Sequence, residues 1–429
     1  MNRLTQHTSL ILLMYLTTHG TNAQDCQVSF ADQQGHIAGS EPSSLTTGDL
    51  DSDGDPDILV INAGSDDISV LLNNGDGTFA PEQRYTTAFI PGILTLGDLD
   101  ADGDLDLVIS NLTQNEISVH LNNGNAIFTF QQSYAVGAGS PSITLGDLNG
   151  DSVLDIAVGN SLSDNISVLL NIGSGSFQNQ VVYPAGDSPR DISLGDLDND
   201  GDQDIAVAND RDDDISVLLN NGDGTFATQQ RHAAGEGPWS ISIDDLDRDG
   251  DQDIAVTNVW SSNISVFLNN GDASFPQSMS FATDNFPVSL NIGDLDNDGN
   301  LDMLTANVDG FSIGYLLNNG DGTFEREQHF CAGTTEPRSV ALSDLDNDGD
   351  LDVATTRRDG NDIRTLFNQC IQPSCLADMN HDGELNYYDV SLFIIAYLEE
   401  QYIADFSRDC RLTTSDAIEF LSAFNKGCP

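Results

Sequence analysis

Lysine is all but missing from this sequence: Lys426 is the only one in 429 residues. Lys and Arg together number 14 against 69 Asp and Glu, and the formal net charge is -55. Such a balance repels nucleic acid and anionic membranes and calls for cations. Long apolar runs are also missing. No segment reaches the ~18 apolar residues of a membrane-spanning helix. The stretch Ser9 to Leu16 is shorter, follows the positive Arg3, and precedes the small residues Thr21-Asn22-Ala23. It reads as an export signal over residues 1–23, cut ahead of Gln24, which places the mature chain in a secreted, extracellular or cell-surface setting. Six Cys remain after the cut, as suits an oxidising compartment. Catalytic motifs are absent as well: there is no nucleophile elbow, zinc triad or P-loop. His36 and His232 fall in register with Tyr85 and Phe330, as packing residues rather than a catalytic pair. The sequence is not expected to be an enzyme.

What is abundant is repetition. The block L-x-x-G-D-L-D-x-D-G-D-x-D begins its acidic run at Asp49, Asp98, Asp147, Asp196, Asp245, Asp294 and Asp344, spaced 49 residues five times and 50 once. Hydrophobic residues make up 38% of the chain and recur in every unit, so this is no disordered acidic tail. A period of this size marks a solenoid, propeller or array. In the second unit, Ile93–Leu96, Leu107–Ser110, Ile117–Leu121 and a run opening at Phe128 are short, β-branched and bounded by Asp, Asn and Gly, which argues strand. Four antiparallel strands per unit predict an all-β, seven-bladed propeller of four-stranded blades over residues 24–370; the alternative, a linear β-solenoid, usually has shorter repeats. The seventh unit stops at Phe367-Asn368-Gln369-Cys370 before a fourth strand, and Val28-Ser29-Phe30-Ala31 lies one period before Thr78-Phe79. The N-terminal segment should therefore complete the last blade. Cys26 and Cys370 share one repeat position, so a Cys26–Cys370 disulfide is expected to fasten the ring, worth on the order of 5 kcal/mol in the chain-entropy model.

The acidic loops carry the chemistry. Asp49, Asp51, Asp53 and Asp57 stand at positions 1, 3, 5 and 9 of a nine-residue loop with Gly54 at position 6. An all-oxygen, highly charged cage suits Ca²⁺; two carboxylates ~4 Å apart repel by about 4 kcal/mol at an effective dielectric of 20. The same set recurs as Asp98, Asp100, Asp102 and Asp106; Asp196, Asp198, Asp200 and Asp204; Asp245, Asp247, Asp249 and Asp253; Asp294, Asp296, Asp298 and Asp302; and Asp344, Asp346, Asp348 and Asp352. The third loop, Asp147, Asn149, Asp151 and Asp155, has Ser152 in place of the Gly and should bind most weakly. Up to seven Ca²⁺ are expected in the ring.

With these loops in hand, the units resemble the FG-GAP/VCBS repeats of integrin α-subunit propellers and of many secreted bacterial proteins, over roughly residues 26–370. The resemblance implies a propeller with Ca²⁺ loops on one rim and ligands on the opposite face, where D–A linkers and B–C loops meet. It does not fix a function, since the family spans adhesion receptors, lectin-like modules and some lyases. After a linker at 371–374 the period becomes helical. Asp378, Asn380, Asp382 and Asp389 precede an apolar helix, and a degenerate second copy ends at Asp416. Residues 375–429 look like a dockerin-type, EF-hand-like domain. That resemblance implies one or two further Ca²⁺ and a cohesin-like partner; the bland alternative is a Ca²⁺-stabilised cap. Cys375 and Cys428 bracket this domain and are expected to pair, leaving Cys331 and Cys410 either bonded to each other or free.

Positions that break the sevenfold pattern are the ones the blade does not need. Six residues before each first Asp stand Ser43, Gly92, Pro141, Arg190, Trp239, Val288 and Arg338; just past the second strand come Arg211, Trp260, Phe311, Arg357 and Arg358. Both Trp residues therefore share the fifth blade, and the Arg residues share the face away from the acidic loops. Arg190, Trp239, Trp260, Arg338, Arg357 and Arg358 are the candidate ligand residues, an aromatic platform with Arg forks suited to a sugar ring or a carboxylated polysaccharide; the bland alternative is drift, with the two Trp rings packed on each other. The expected function is an adhesion or glycan/protein-binding module with structural calcium; the alternatives are a scaffold attached through the tail and a polysaccharide lyase-like enzyme.

Overall fold

In a computed structural model describing residues 28, 30, 34–87, 90–331, 336–369, 387–398 and 414–426, seven four-stranded antiparallel sheets follow one another along the chain. The first blade is strand A (Pro42–Gly48), B (Asp57–Asn62), C (Asp67–Leu71) and D (Gln83–Thr86). Strands B are buried along their whole length in six of the seven blades, because they are sandwiched between neighbouring sheets. That burial explains their unbroken aliphatic composition. Strand A of each blade contacts strand A of the next, and Pro42–Gly48 meets Pro337–Ser343 of the seventh blade, so the A strands form a closed inner ring. The seventh sheet takes its outer strand from the N-terminus: Gln34–Ile37 pairs with Asp362–Leu366, and Phe30 bridges to Asn368. The N-terminal segment thus completes the last blade, as the truncated seventh unit requires. Cys26, Cys370, Cys375, Cys410 and Cys428 and residues 1–23 lie outside the described residues. So do the tail ligands Asp378, Asn380 and Asp382.

Every seam between neighbouring blades carries the same outer aromatic contact. A strand-D ring meets the Phe after the next blade's C–D turn: His36–Phe79 at 4.8 Å, Tyr85–Phe128 at 5.9 Å, Tyr134–Phe177 at 5.5 Å, Tyr183–Phe226 at 5.3 Å, His232–Phe275 at 5.1 Å and Phe281–Phe324 at 5.2 Å. Phe330–Phe30 at 4.3 Å closes the circle. Such pairs contribute about 0.5–1.5 kcal/mol each beyond their buried area. His36 and His232 are therefore packing residues, and burial holds both imidazoles below their ordinary pKa.

The Gly before most acidic runs lets blades approach. A Cβ on Gly195 would lie 2.6 Å from Ile243 Cγ2 and against Gln252 Oε1 of the next blade, and one on Gly97 would lie 2.7 Å from Leu145 Cδ1. Overpacking of this kind costs about 1–3 kcal/mol. Gly195→Ala is expected to lower stability by that amount, read as a lower urea midpoint at unchanged slope; an unchanged midpoint would mean that the seam is loose.

Beyond the ring, helix α1 (Tyr387–Leu398) and helix α2 (Thr414–Lys426) pack through Phe393 and Phe420, stacked at 4.1 Å with an interplanar angle of 4°. Asp389 and Asp416, each in the first helical turn, are fully buried.

Candidate functional site

The seven A–B loops lie on one face and share one geometry. The Asp at position 1 folds the loop on itself: Asp49 accepts from the backbone N–H groups of Asp53 at 3.1 Å and Gly54 at 3.0 Å. The turn needs two left-handed residues, at positions 4 and 6, as at Ser52 with φ 62° and Gly54 with φ 96°. The third loop exchanges the glycine between these places, with Gly150 at φ 75° and Ser152 at φ 68°. Its fold survives, since Ser152 N still donates to Asp147 at 2.7 Å. The loss there is elsewhere: Asn149 is neutral and turns its amide Nδ2 toward Asp155, at 3.3 Å.

The Asp at position 9 starts strand B and is buried in every blade. Asp57 Oδ2 accepts from Leu50 N and Asp57 Oδ1 from Asn73 N, both at 2.8 Å. Burial pushes these carboxyls up, to about 7 at Asp57, Asp253, Asp302 and Asp352 and about 6 at Asp106, Asp155 and Asp204, with the Asp residues of the same loop adding repulsion. At position 3, the buried Oδ1 of Asp51, Asp100 and Asp346 accepts no hydrogen bond, and at position 1 the same is true of Asp245 Oδ1. Carboxylate oxygens of Asp49, Asp51 and Asp53, and of Asp98, Asp100 and Asp106, lie within 4.8 Å of one another, as do those of Asp196, Asp198 and Asp204. Converging carboxylates with orphaned inward oxygens fit a hard cation.

These loops also hold the ring together, through a residue that repeat spacing did not single out. The Asn after each strand C reaches across the seam. Asn73 Nδ2 donates to Leu345 O at 2.8 Å, Asn122 to Leu50 O at 2.8 Å, Asn220 to Leu148 O at 2.9 Å and Asn368 to Leu295 O at 2.8 Å. Each acceptor is position 2 of the preceding blade's acidic loop. Every cage is thereby fastened to the next blade.

The opposite face carries the broken symmetry. In six blades strand A has a register shift beside its first Pro. Arg190, Trp239 and Arg338 sit in these bulges, which re-aim side chains out of the ladder. Bulged neighbours then meet: the Arg190 guanidinium lies 4.3 Å from the centre of the Trp239 ring. The two Trp residues, expected to act as one platform, are joined by a third ring. Phe286 lies 6.2 Å from Trp239 and 5.1 Å from Trp260, the latter edge-on at 82°. Phe286 stands before Pro287, at the repeat position that the other blades fill with Glu41, Ile90, Gly139, Ser188, Gly237 and Glu336. Five of the seven are left-handed, Glu41 at φ 52° and Phe286 at φ 62° among them. A bulky residue in that conformation is strained by about 1–3 kcal/mol.

The arginines are less available than their positions promised. Arg190 binds Asp210 at 3.0 Å, Arg338 binds Glu336 at 2.7 Å, Arg357 binds Asp362 at 3.2 Å and Arg358 binds Glu41 at 2.8 Å. The repeated Asn residues at the end of strand B brace the B–C loops, as when Asn209 Nδ2 donates to Asp214 and Ser216, both at 2.9 Å.

Behind Phe286, Glu327 accepts from Asn307 Nδ2 at 3.0 Å, Thr305 Oγ1 at 3.1 Å and the backbone N–H of Asp284. Burial pushes its carboxyl up to about 7. A carboxyl raised in the folded state stabilises below its ordinary pKa, and that contribution is lost as pH rises through the folded value. Between about pH 4.5 and 7, calcium-saturated wild type should therefore lose stability that Glu327→Gln does not lose. Parallel melting curves across that range would refute this.

The FG-GAP-like repeat model matches the chain at residues 49–109, 98–158, 147–207, 196–256, 245–305 and 306–355. No curated protein matches the sequence significantly. Among solved structures, BBS1N in complex with ARL6DN, soaked with lead, superposes with a TM-score of 0.59 at 11% identity, covering 79% of this chain and 97% of that one. The mercury-soaked form gives 0.57 at 13% identity, with the same 79% and 97% coverage. An Agrocybe aegerita lectin, described with its recognition of non-reducing terminal N-acetylglucosamine, gives 0.49 at 20% identity, covering 70% of this chain and 80% of that one. At these identities the likeness is one of fold.

Proposed function

The protein belongs to the FG-GAP-like repeat family, and from that membership we propose that it is a secreted, calcium-loaded propeller acting as an adhesion or glycan/protein-binding module. The chain is read as a binding module rather than an enzyme, a reading in line with the repeat family and with the propeller fold shared with BBS1N. Calcium is structural in this reading, held by the Asp residues at positions 1, 3, 5 and 9 of the loops. The observation that carries the binding role is the continuous line Arg190–Trp239–Phe286–Trp260, built across three blades by bulges and a strained Phe. A protein ligand has a parallel in BBS1N, which is seen in complex with ARL6DN. The tail is read as a dockerin-like attachment domain with its own Ca²⁺, supported by two helices that each bury an Asp in the first turn. Export through residues 1–23 and the Cys26–Cys370 and Cys375–Cys428 disulfides complete the proposal.

A glycan and matrix-protein array, probed with Ca²⁺ present and with chelator, tests it. The expected result is a calcium-dependent hit weakened about tenfold or more, ~1.4 kcal/mol, in Trp239→Ala/Trp260→Ala. Binding that ignores both substitutions would remove the platform from the account.

A further inference from the structure

Trp239 and Trp260 are not equivalent. Trp239 is half-buried and already covered by a cation, since Arg190 lies over its ring at 4.3 Å. Trp260 is 64% exposed, and no cation covers it among the described residues. Phe286 stands against it at 82°, 5.1 Å away. The two rings make the walls of a corner that opens to solvent. The corner is held rigidly. Trp260 N donates to Glu236 O at 3.1 Å, and Val308 N to Phe286 O at 3.0 Å. Trp260 also packs on Gly237, where no side chain beyond hydrogen would fit.

The loop charges beside the corner that lack an ion-pair partner are acidic. Glu236 precedes Gly237 in the link under Trp260, and Asp309 holds in the sixth blade the loop position that Trp260 holds in the fifth. Both are exposed, and neither forms an ion pair among the described residues. The Arg residues of this face, in contrast, are each matched by an Asp or Glu. An acidic polysaccharide would have to displace those partners and approach a chain of net charge -55. A cation meets neither obstacle. Aromatic faces attract cations through the ring quadrupole, most strongly for Trp, and nearby unpaired carboxylates add a like-signed field.

We infer that the Trp260–Phe286 corner takes a cationic side chain, Lys or Arg, presented by a basic segment of a protein partner. Arg190 on Trp239 is the same contact made within the chain. This deepens the binding role proposed above and rests on it.

Trp260 becomes the sole Trp in Trp239→Phe, because the protein has two. The full-length chain, saturated with Ca²⁺ in 150 mM salt, is titrated with a Gly-Arg repeat decapeptide, a Gly-Glu decapeptide, chitotetraose and a hyaluronan oligosaccharide. Saturable perturbation of Trp260 fluorescence by the Arg peptide alone is expected. Calorimetry should show affinity falling about tenfold in Trp260→Ala, with less loss in Glu236→Gln. Arg-peptide binding that Trp260→Ala leaves unchanged would reduce the effect to diffuse attraction by an acidic surface and overturn the inference. Binding of either sugar that requires Trp260 would overturn it while leaving the binding module intact. Binding of none of the four, with no hit on the glycan and matrix array, would overturn both.

Discussion

Stripped of calcium, the ring is expected to melt more than ~10 °C lower, with the loss shared among all seven blades. At free Ca²⁺ of about 100 times the dissociation constant, each filled site adds about 2.7 kcal/mol, and a chain of this size shifts by roughly 2–4 °C or less per kcal/mol. The effect should exceed simple ligand linkage, because each loop is hydrogen-bonded to the next blade, as Asn122 is to Leu50 O at 2.8 Å. A loosened cage loosens a seam. Metal-free protein should also respond to pH in a defined direction. Asp57, Asp253, Asp302 and Asp352 are raised to about 7 by burial and mutual repulsion. The folded state then binds protons more tightly than the unfolded one, and stability falls as pH rises from about 4 to 7. Chelated protein should melt higher at pH 5 than at pH 8, and Ca²⁺ should erase that advantage by holding the carboxylates ionised. Calorimetry with and without chelator, together with metal analysis of the dialysed protein, measures both. Superimposable melts, or no retained calcium, would sink the account of the loops. Within the set, the third loop is expected to be the weakest binder, because Asn149 replaces a carboxylate.

Asn220→Ala is expected to cost about 2–4 kcal/mol, although the Asn220 side chain bonds to no carboxylate of a cage. Asn220 Nδ2 donates to Leu148 O of the preceding blade at 2.9 Å and to Gln203 O at 3.0 Å, while its Oδ1 accepts from Gly222 N at 3.0 Å. Removing the side chain strands one buried and one part-buried carbonyl, and an unsatisfied buried polar group costs about 1–3 kcal/mol. The adjacent Asn221 is the control: its exposed side chain bonds only within its own turn, to Thr225, so Asn221→Ala should stay within about 0.5 kcal/mol of wild type. Hydrogen exchange should localise the Asn220 effect to the seam between the third and fourth blades. Equal effects from the two substitutions would show that the seam is held by packing alone.

The propeller was legible because the repeat does the counting. Seven acidic runs mean seven loops, and a seventh unit without its last strand means that the N-terminus must supply one. The positions of the acidic loops were legible for the same reason, since carboxylate spacing along nine residues is a local property. Two features were not. The register shifts of strand A, which aim Arg190 and Trp239 outward, depend on how strand A lies on strand B. Phe286 offered little signal, since its repeat position varies from Gly139 and Ser188 to Glu41 and Ile90, and its contact with both Trp rings appears only when the fifth and sixth blades are adjacent. The arginines of the candidate face are engaged by Asp210, Glu336, Asp362 and Glu41, so they are not free forks.

The sequence by itself determined the number of blades, the place of every acidic loop and the need for a strand from the chain's start, because periodicity and carboxylate spacing act over a few residues. Only the tertiary structure decided which side chains meet across seams and which charges are already spent. The cross-seam contacts join residues about fifty to three hundred positions apart, and blade packing with ring closure brings them together.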